Sequence, residues 1–166
     1  APSGTVIVAD EQEAGKGRLG RSWYSPPGTG LWLSFILRPN MPLHAVSQLT
    51  LLTAVAVLQA VKQVVNLPLS IKWPNDLLIR GKKVAGILME LKAEADQVHF
   101  VVVGIGINVN QSQEDFPDPI KEKATSLAIE NQAVVSRKNV IIQLLNVWEA
   151  LYETYQRQGF GPIKSL

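Results

Sequence analysis

The chain of 166 residues contains no cysteine. That absence excludes disulfides, thiolate nucleophiles and thiolate metal sites, and it is compatible with a reducing cytosol. Net charge is small, +2 in all, so overall charge does not mark a nucleic-acid binder. The most apolar stretch, Leu49 to Val61, is interrupted by Thr50, Thr53 and Gln59. It falls short of the roughly 20 residues that cross a bilayer. Ala1-Pro2-Ser3-Gly4 lacks the basic region and apolar run of a signal peptide. The expectation is a soluble, cytoplasmic, single-domain protein, its 46% hydrophobic content being enough for one core. The most informative gap is acidic: between Glu13 and Asp76 there is no Asp or Glu, while Lys16, Arg18, Arg21, Arg38, Lys62 and Lys72 fall inside that interval. Such one-sided charge favours an anionic ligand if the groups converge in space; the alternative is a run of solvated side chains.

The pattern of elements points to α+β. Thr5 to Ala9 is β-branched and reads as a buried strand, followed by a loop rich in glycine and charge from Asp10 to Gly30. Leu31 to Leu37 is the next strand. A long helix is expected from about Ala45 to Val64, with Leu49, Leu52, Val55 and Ala56 at helical spacing. Ser70-Ile71-Lys72 and Leu77-Leu78-Ile79 are short strands flanking a Trp-Pro-Asn turn. Arg80-Gly81-Lys82 makes a hairpin into Val84 to Lys92, and a second hairpin near Ala95-Asp96 leads into Val98 to Val109. A proline-containing loop (Gln111 to Pro119) precedes a short helix near Ala124 to Ile129. A longer helix runs from about Arg137 to Gln156, with Val140, Leu144, Val147, Leu151 and Tyr155 on one stripe, Ser136 as N-cap and Gly159 as terminator. Successive hairpins with helices before and after predict a mixed, largely antiparallel central sheet with helices packed on it.

Gly15-Lys16-Gly17-Arg18-Leu19-Gly20 matches G-x-G-x-x-G directly after a strand. A dinucleotide site also needs a helix at that point and an acid about 20 residues on. Trp23-Tyr24-Ser25-Pro26-Pro27-Gly28 cannot continue a helix, and the acid-free interval runs past the required position. Gly15 to Ser22 also matches a P-loop with Arg21 in place of lysine, and the same missing helix removes its amide cradle. What remains is a flexible loop whose glycines let the backbone bend around a ligand while Lys16, Arg18 and Arg21 supply charge. Ligand binding would order such a loop.

Glu11 to Trp23, carrying that loop, resembles the G-[RK]-G-R-x-G-R-x-W loop of biotin–protein ligases. Lys72-Trp73-Pro74-Asn75-Asp76 resembles the same family's K-W-P-N-D motif. Val84-Ala85-Gly86-Ile87-Leu88-Met89-Glu90 and Gly104-Ile105-Gly106-Ile107-Asn108-Val109-Asn110 resemble its third and fourth signatures, all in the family's order. The resemblance implies the biotin/lipoate ligase fold, similar to class II synthetases, and a two-step reaction. Biotin carboxylate attacks the α-phosphorus of ATP, with Mg²⁺, to give biotinyl-5′-AMP and pyrophosphate; a lysine of a biotin carboxyl carrier domain then attacks the acyl carbon and releases AMP. It implies Gln12 on the biotin head group, and Lys16, Gly17, Arg18, Lys72 and Gly86 along biotin. It implies Arg18, Arg21, Trp23, Asn75, Asp76 and Asn108 around ATP, with Arg18 and Lys72 as the catalytic cations. No resident metal site is expected.

The chemistry fits: carboxylate and polyphosphate repel, and fixed cations offset that repulsion, one donor contributing on the order of 3 kcal/mol. No side-chain nucleophile is needed, and His44 and His99 are read as incidental. The family often has arginine where Lys16 stands, so a point charge replaces a bidentate fork. Trp23 either covers adenine or fills the core; Asn108 either meets the nucleotide or ends a strand. Asp76 holds Mg²⁺ through water, positions the acceptor lysine, or caps a turn. Family members normally carry a Ser-Thr-Asn helix before the first strand here and a small β-barrel after the last helix, so a fragment is expected. No helix-turn-helix is read. The rivals are a lipoate–protein ligase, which would lack the two cationic motifs, and a non-catalytic biotin-binding module. A homodimer through a free sheet edge is a further expectation.

Overall fold

The computed structural model describes residues 1–94 and 97–166. One six-stranded sheet organises them, in the order β1-β2-β6-β5-β4-β3. Its strands are β1 (Thr5–Ala9), β2 (Gly30–Leu37), β3 (Leu69–Lys72), β4 (Asp76–Ile79), β5 (Lys82–Glu94) and β6 (Gln97–Asn108). Every ladder is antiparallel; the only parallel pairing among the described residues is the isolated bridge Lys83↔Ala124. The α+β expectation holds. The hairpin turn expected at Ala95-Asp96 lies outside the described residues, though Glu94 pairs with Gln97 on either side of it.

Helices α1 (Val46–Val64) and α4 (Arg137–Gln158) cover one face of the sheet and pack on each other. Between them and the sheet lies the core, with Leu49, Leu52, Leu77, Ile79, Val103 and Leu144 almost wholly buried. Phe35 of β2 stacks on Trp148 of α4 at 4.5 Å, and the Trp148 Nε1–H donates to Thr53 Oγ1 of α1 at 3.1 Å. Extended by the turn before it, α1 spans Leu43–Val64 and is by length and composition apolar enough to cross a membrane. The run judged too short in the sequence is therefore part of a longer one. Its apolarity has a local cause: 61% of its most apolar 18 consecutive residues are buried inside the fold. Ser136 caps α4 by accepting from the Asn139 N–H at 3.2 Å, and Gly159 (φ 71°) ends it, both as read.

Three expectations need correction. β1 forms where expected but is not buried, with Ile7 and Val8 each 53% exposed. β-Branched content signals a strand, not its depth, and this strand is the sheet's edge. On α4 the buried residue is Trp148, with Val147 only partly covered, because a 3.6-residue period drifts off a fixed stripe. The single short helix expected near Ala124 is instead two, α2 (Asp118–Lys121) and α3 (Leu127–Asn131), and Ala124 sits in the bridge to Lys83. Ser126 sets the second start by accepting from the Ile129 N–H at 3.2 Å. A last short helix, α5 (Gly161–Lys164), was not expected.

Candidate active site

Side chains alternate along a strand, so the faces of β2, β5 and β6 are distinct. Leu33, Phe35, Ile87, Val103 and Ile105 enter the core, while Ser34, Gly86, Gly104 and Gly106 share the other face, paired in register. Small residues there leave room above the sheet. A Cβ at Gly106 would overlap the Trp23 indole, so glycine lets that ring lie directly on the strand. A Cβ at Gly104 would meet nothing closer than the Leu88 carbonyl at 3.5 Å, an ordinary van der Waals contact. A cavity of about 190 Å³ occupies this space, walled by Gln12, Lys16, Ser34, Gly86, Leu88 and Gly104 among others.

The glycine-rich loop folds over that cavity as a narrow hairpin. Gln12 bridges to Ser25 and Lys16 to Ser22; the Gly17 N–H donates to the Arg21 carbonyl at 2.7 Å and the Trp23 N–H to the Gly15 carbonyl at 2.8 Å. Only a three-residue 3₁₀ turn, Arg18–Gly20, forms at its tip, so neither the dinucleotide nor the P-loop geometry is present. Gln12 Oε1 accepts from Ser25 Oγ at 2.8 Å, which fixes the amide at the cavity wall.

Arg18 and Lys72, from stretches far apart in sequence, line one larger cavity of about 510 Å³. Arg21, Trp23, Asn75, Asp76 and Asn108 line it too, which gathers every expected nucleotide residue. Five residues, Gly17, Arg18, Trp23, Asn75 and Lys83, face both this cavity and the smaller one. Asn75 anchors the junction: its Oδ1 accepts from Arg18 Nη1 at 2.9 Å, and its Nδ2 donates to the Ile87 carbonyl at 3.0 Å. Lys72, expected also along biotin, lines only the larger space. Asn108 is more constrained than expected. Its Nδ2 donates to the Thr125 carbonyl at 3.0 Å and its Oδ1 accepts from Gln111 at 3.2 Å, so it holds the turn after β6 as well as facing the cavity.

Sequence reasoning missed Lys83. Its ammonium lies 2.7 Å from Asp76 Oδ1 and 5.1 Å from the centre of the Trp23 ring. Strict alternation from Gly86 would turn Lys83 into the core, but a bulge between Leu77 and Leu78 shifts the register and aims it at the site. Phe116, Ile120 and Lys123, on the far wall of the larger cavity, were missed as well, within a loop that carried no recognisable motif. Trp23 stands edge-on to Trp32 at 6.4 Å, half-buried on the site face over Gly106 and outside the core, and its Nε1–H is buried without a partner among the described residues.

No group of three or more His, Asp or Glu side chains converges among the described residues. Asp76 is the one carboxylate lining the larger cavity and is already paired with Lys83. A magnesium ion fits this donor set only when nucleotide phosphates supply most of its ligands.

The family model for the biotin/lipoate A/B protein ligase family matches residues 1–108. The chain belongs to that family. Within it the likeness is to biotin ligases. Over 166 residues the chain is 51% identical to the bifunctional ligase/repressor BirA of Bacillus subtilis, covering all of this chain and 51% of that protein. It is 37% identical over 151 residues to the biotin–[acetyl-CoA-carboxylase] ligase of Mycobacterium tuberculosis, covering 89% of this chain and 53% of that one. Both describe relatives about twice its length. The biotin protein ligase of Aquifex aeolicus in complex with biotin and ATP superposes with a TM-score of 0.88 at 37% identity, covering 99% of this chain and 67% of that structure. As a member of this ligase family, the chain shares the antiparallel sheet and helices of those structures.

Proposed function

We propose that this ligase-family chain carries the catalytic site for attaching biotin to a lysine of a biotin carboxyl carrier domain, through biotinyl-5′-AMP. The observation that carries the reading is the junction of the two cavities, with Arg18 tethered to Asn75 and Lys83 beside it. A bicyclic head group suits the smaller space, where Gln12 offers an amide to a ureido ring and Lys16, Gly17 and Gly86 flank the tail. ATP suits the larger one. Trp23 and Phe116 offer apolar surface to the base, Arg21 and Lys72 offer charge to the phosphates, and Asp76 and Asn108 complete the wall.

In the first step a biotin carboxylate oxygen attacks the α-phosphorus, and pyrophosphate leaves. Negative charge accumulates where two anions meet, and Arg18 from one side and Lys72 from the other offset it. Lys72, on the nucleotide side, serves this junction and not the biotin ring. Bound to the triphosphate, with Asp76 the one carboxylate at hand, Mg²⁺ would supply charge neutralisation there. In the second step the lysine amine takes the acyl group and AMP leaves. ATP use and the lack of cysteine agree with a cytoplasmic location. A homodimer would use an unpaired sheet edge such as β1.

Biotin-dependent release of pyrophosphate from ATP tests the reading, with lipoate as the control. Release with biotin and not with lipoate is expected. Release with lipoate alone would favour the lipoate branch, and tight biotin binding with no release would leave a non-catalytic module.

A further inference from the structure

A third cavity, of about 440 Å³, opens on the same junction from the helix side of the sheet. It shares Arg18, Asn75 and Ile87 with the biotin-side cavity, and its other walls come from the start of α1 (Gln48, Thr50 and Leu51), Trp73, Met89 and Phe160. The proposed reaction needs three entrances, for biotin, for ATP and for the acceptor amine. Two are accounted for above. Resting on that reading, we propose that this third groove admits the acceptor lysine, its aliphatic stem against Trp73 and Leu51 and its nitrogen reaching the acyl carbon past Asn75.

Two properties of the groove favour this occupant. Trp73 is 77% exposed at its mouth, unusual for the largest apolar side chain and the kind of anchor that partner surfaces use. No carboxylate lines the groove, and its one charge is the Arg18 guanidinium. For a permanent cation that is an unfavourable place. For a lysine about to act as a nucleophile it is favourable, because desolvation and a like charge both lower the amine's pKa and increase its neutral fraction. The neutral nitrogen then attacks the acyl carbon. A C–N bond forms, the C–O bond to the phosphate breaks, AMP leaves with the electron pair, and the surplus proton passes to water.

The test uses the chain with biotin, ATP and a biotin carboxyl carrier domain, following pyrophosphate release and carrier biotinylation separately. Hydroxylamine, a nucleophile small enough to need no groove, serves as a second acceptor. Trp73→Ala is expected to raise the KM for the carrier about tenfold or more while pyrophosphate release and the hydroxylamine reaction stay unchanged. Gln48→Glu keeps the acceptor atom that Tyr155 uses, at 3.0 Å, and adds a carboxylate to the wall. It is expected to move the acid limb of the carrier-transfer pH profile to higher pH, since an opposite charge holds the lysine protonated. Unchanged carrier kinetics and an unmoved profile in both variants would overturn the groove assignment while leaving the ligase reading intact. Failure of the unsubstituted chain to release pyrophosphate with biotin would overturn both.

Discussion

Asn75 holds Arg18 with its carbonyl and β5 with its amide nitrogen. Replacing it with alanine frees the guanidinium from the junction without removing any charge. A hydrogen bond to a charged group contributes about 1.5–3 kcal/mol. Asn75→Ala should therefore slow biotin-dependent pyrophosphate formation by roughly ten- to a hundredfold, measured at saturating substrates with folding checked by circular dichroism. Gly104 allows the complementary experiment. Its added Cβ makes only ordinary contacts, at 3.5 Å and beyond, so Gly104→Val places its bulk in the biotin-side cavity and not in the core. The KM for biotin should rise about tenfold or more, while Tm stays within about 3 °C. A large fall in Tm would instead assign this glycine to folding. At this scale charge was readable in part: Arg18, Arg21 and Lys72 of the acid-free interval line the larger cavity and Lys16 the smaller one, whereas Arg38 is held by the Ala1 and His99 carbonyls and Lys62 lines neither space. Lys83 was not readable, because its direction depends on a one-residue bulge that leaves no mark in the hydrophobic pattern.

Between elements, the α1–α4 contact is the place where one polar atom matters most. Thr53 Oγ1 donates to the Leu49 carbonyl at 2.7 Å and accepts from Trp148 Nε1 at 3.1 Å, wholly buried. Thr53→Val keeps the shape and orphans the indole N–H, at a cost of about 1–3 kcal/mol. Urea denaturation measures this, and Trp148→Phe in the same chain should recover part of it. The end of α4 adds a pH dependence. Burial raises the Tyr152 pKa above the usual 10.0, reinforced by neighbouring Tyr155 and opposed by a hydrogen bond from Gln156; burial also raises Tyr155. The folded chain thus keeps these phenol protons where the unfolded chain has released them. Stability is complete below the ordinary tyrosine value and declines as pH rises from it through the folded values. Tm should fall along an alkaline series, less steeply in Tyr152→Phe. Helix α4 was legible because its cap and stop are local: Ser136 and Gly159 do in the structure what their chemistry dictates. The depth of β1 was not, since an edge strand and a central one share the same β-branched residues and only the sheet order separates them.

Seen as one object, the chain is nearly neutral, +2 in all, yet its charge is unevenly placed. Arg18, Arg21, Lys72, Lys83 and Lys123 surround the larger cavity against the single carboxylate of Asp76. The smaller cavity shares two of these cations, adds Lys16, and also carries Glu90. A low-dielectric cleft lined by one sign of charge concentrates oppositely charged ligands, and salt screens that effect: the Debye length falls from about 10 Å at 0.1 M to about 3 Å at 1 M. A triphosphate feels the whole cluster, whereas a single carboxylate held largely by shape and hydrogen bonds feels little of it. Raising ionic strength from roughly 0.05 to 0.5 M should therefore raise the KM for ATP several-fold and leave that for biotin nearly unchanged. Lys123→Ala should flatten the ATP response without altering biotin affinity. Equal salt responses for the two substrates would mean that the five cations do not act on the nucleotide together, and the division of the site into a biotin side and a phosphate side would have to be redrawn.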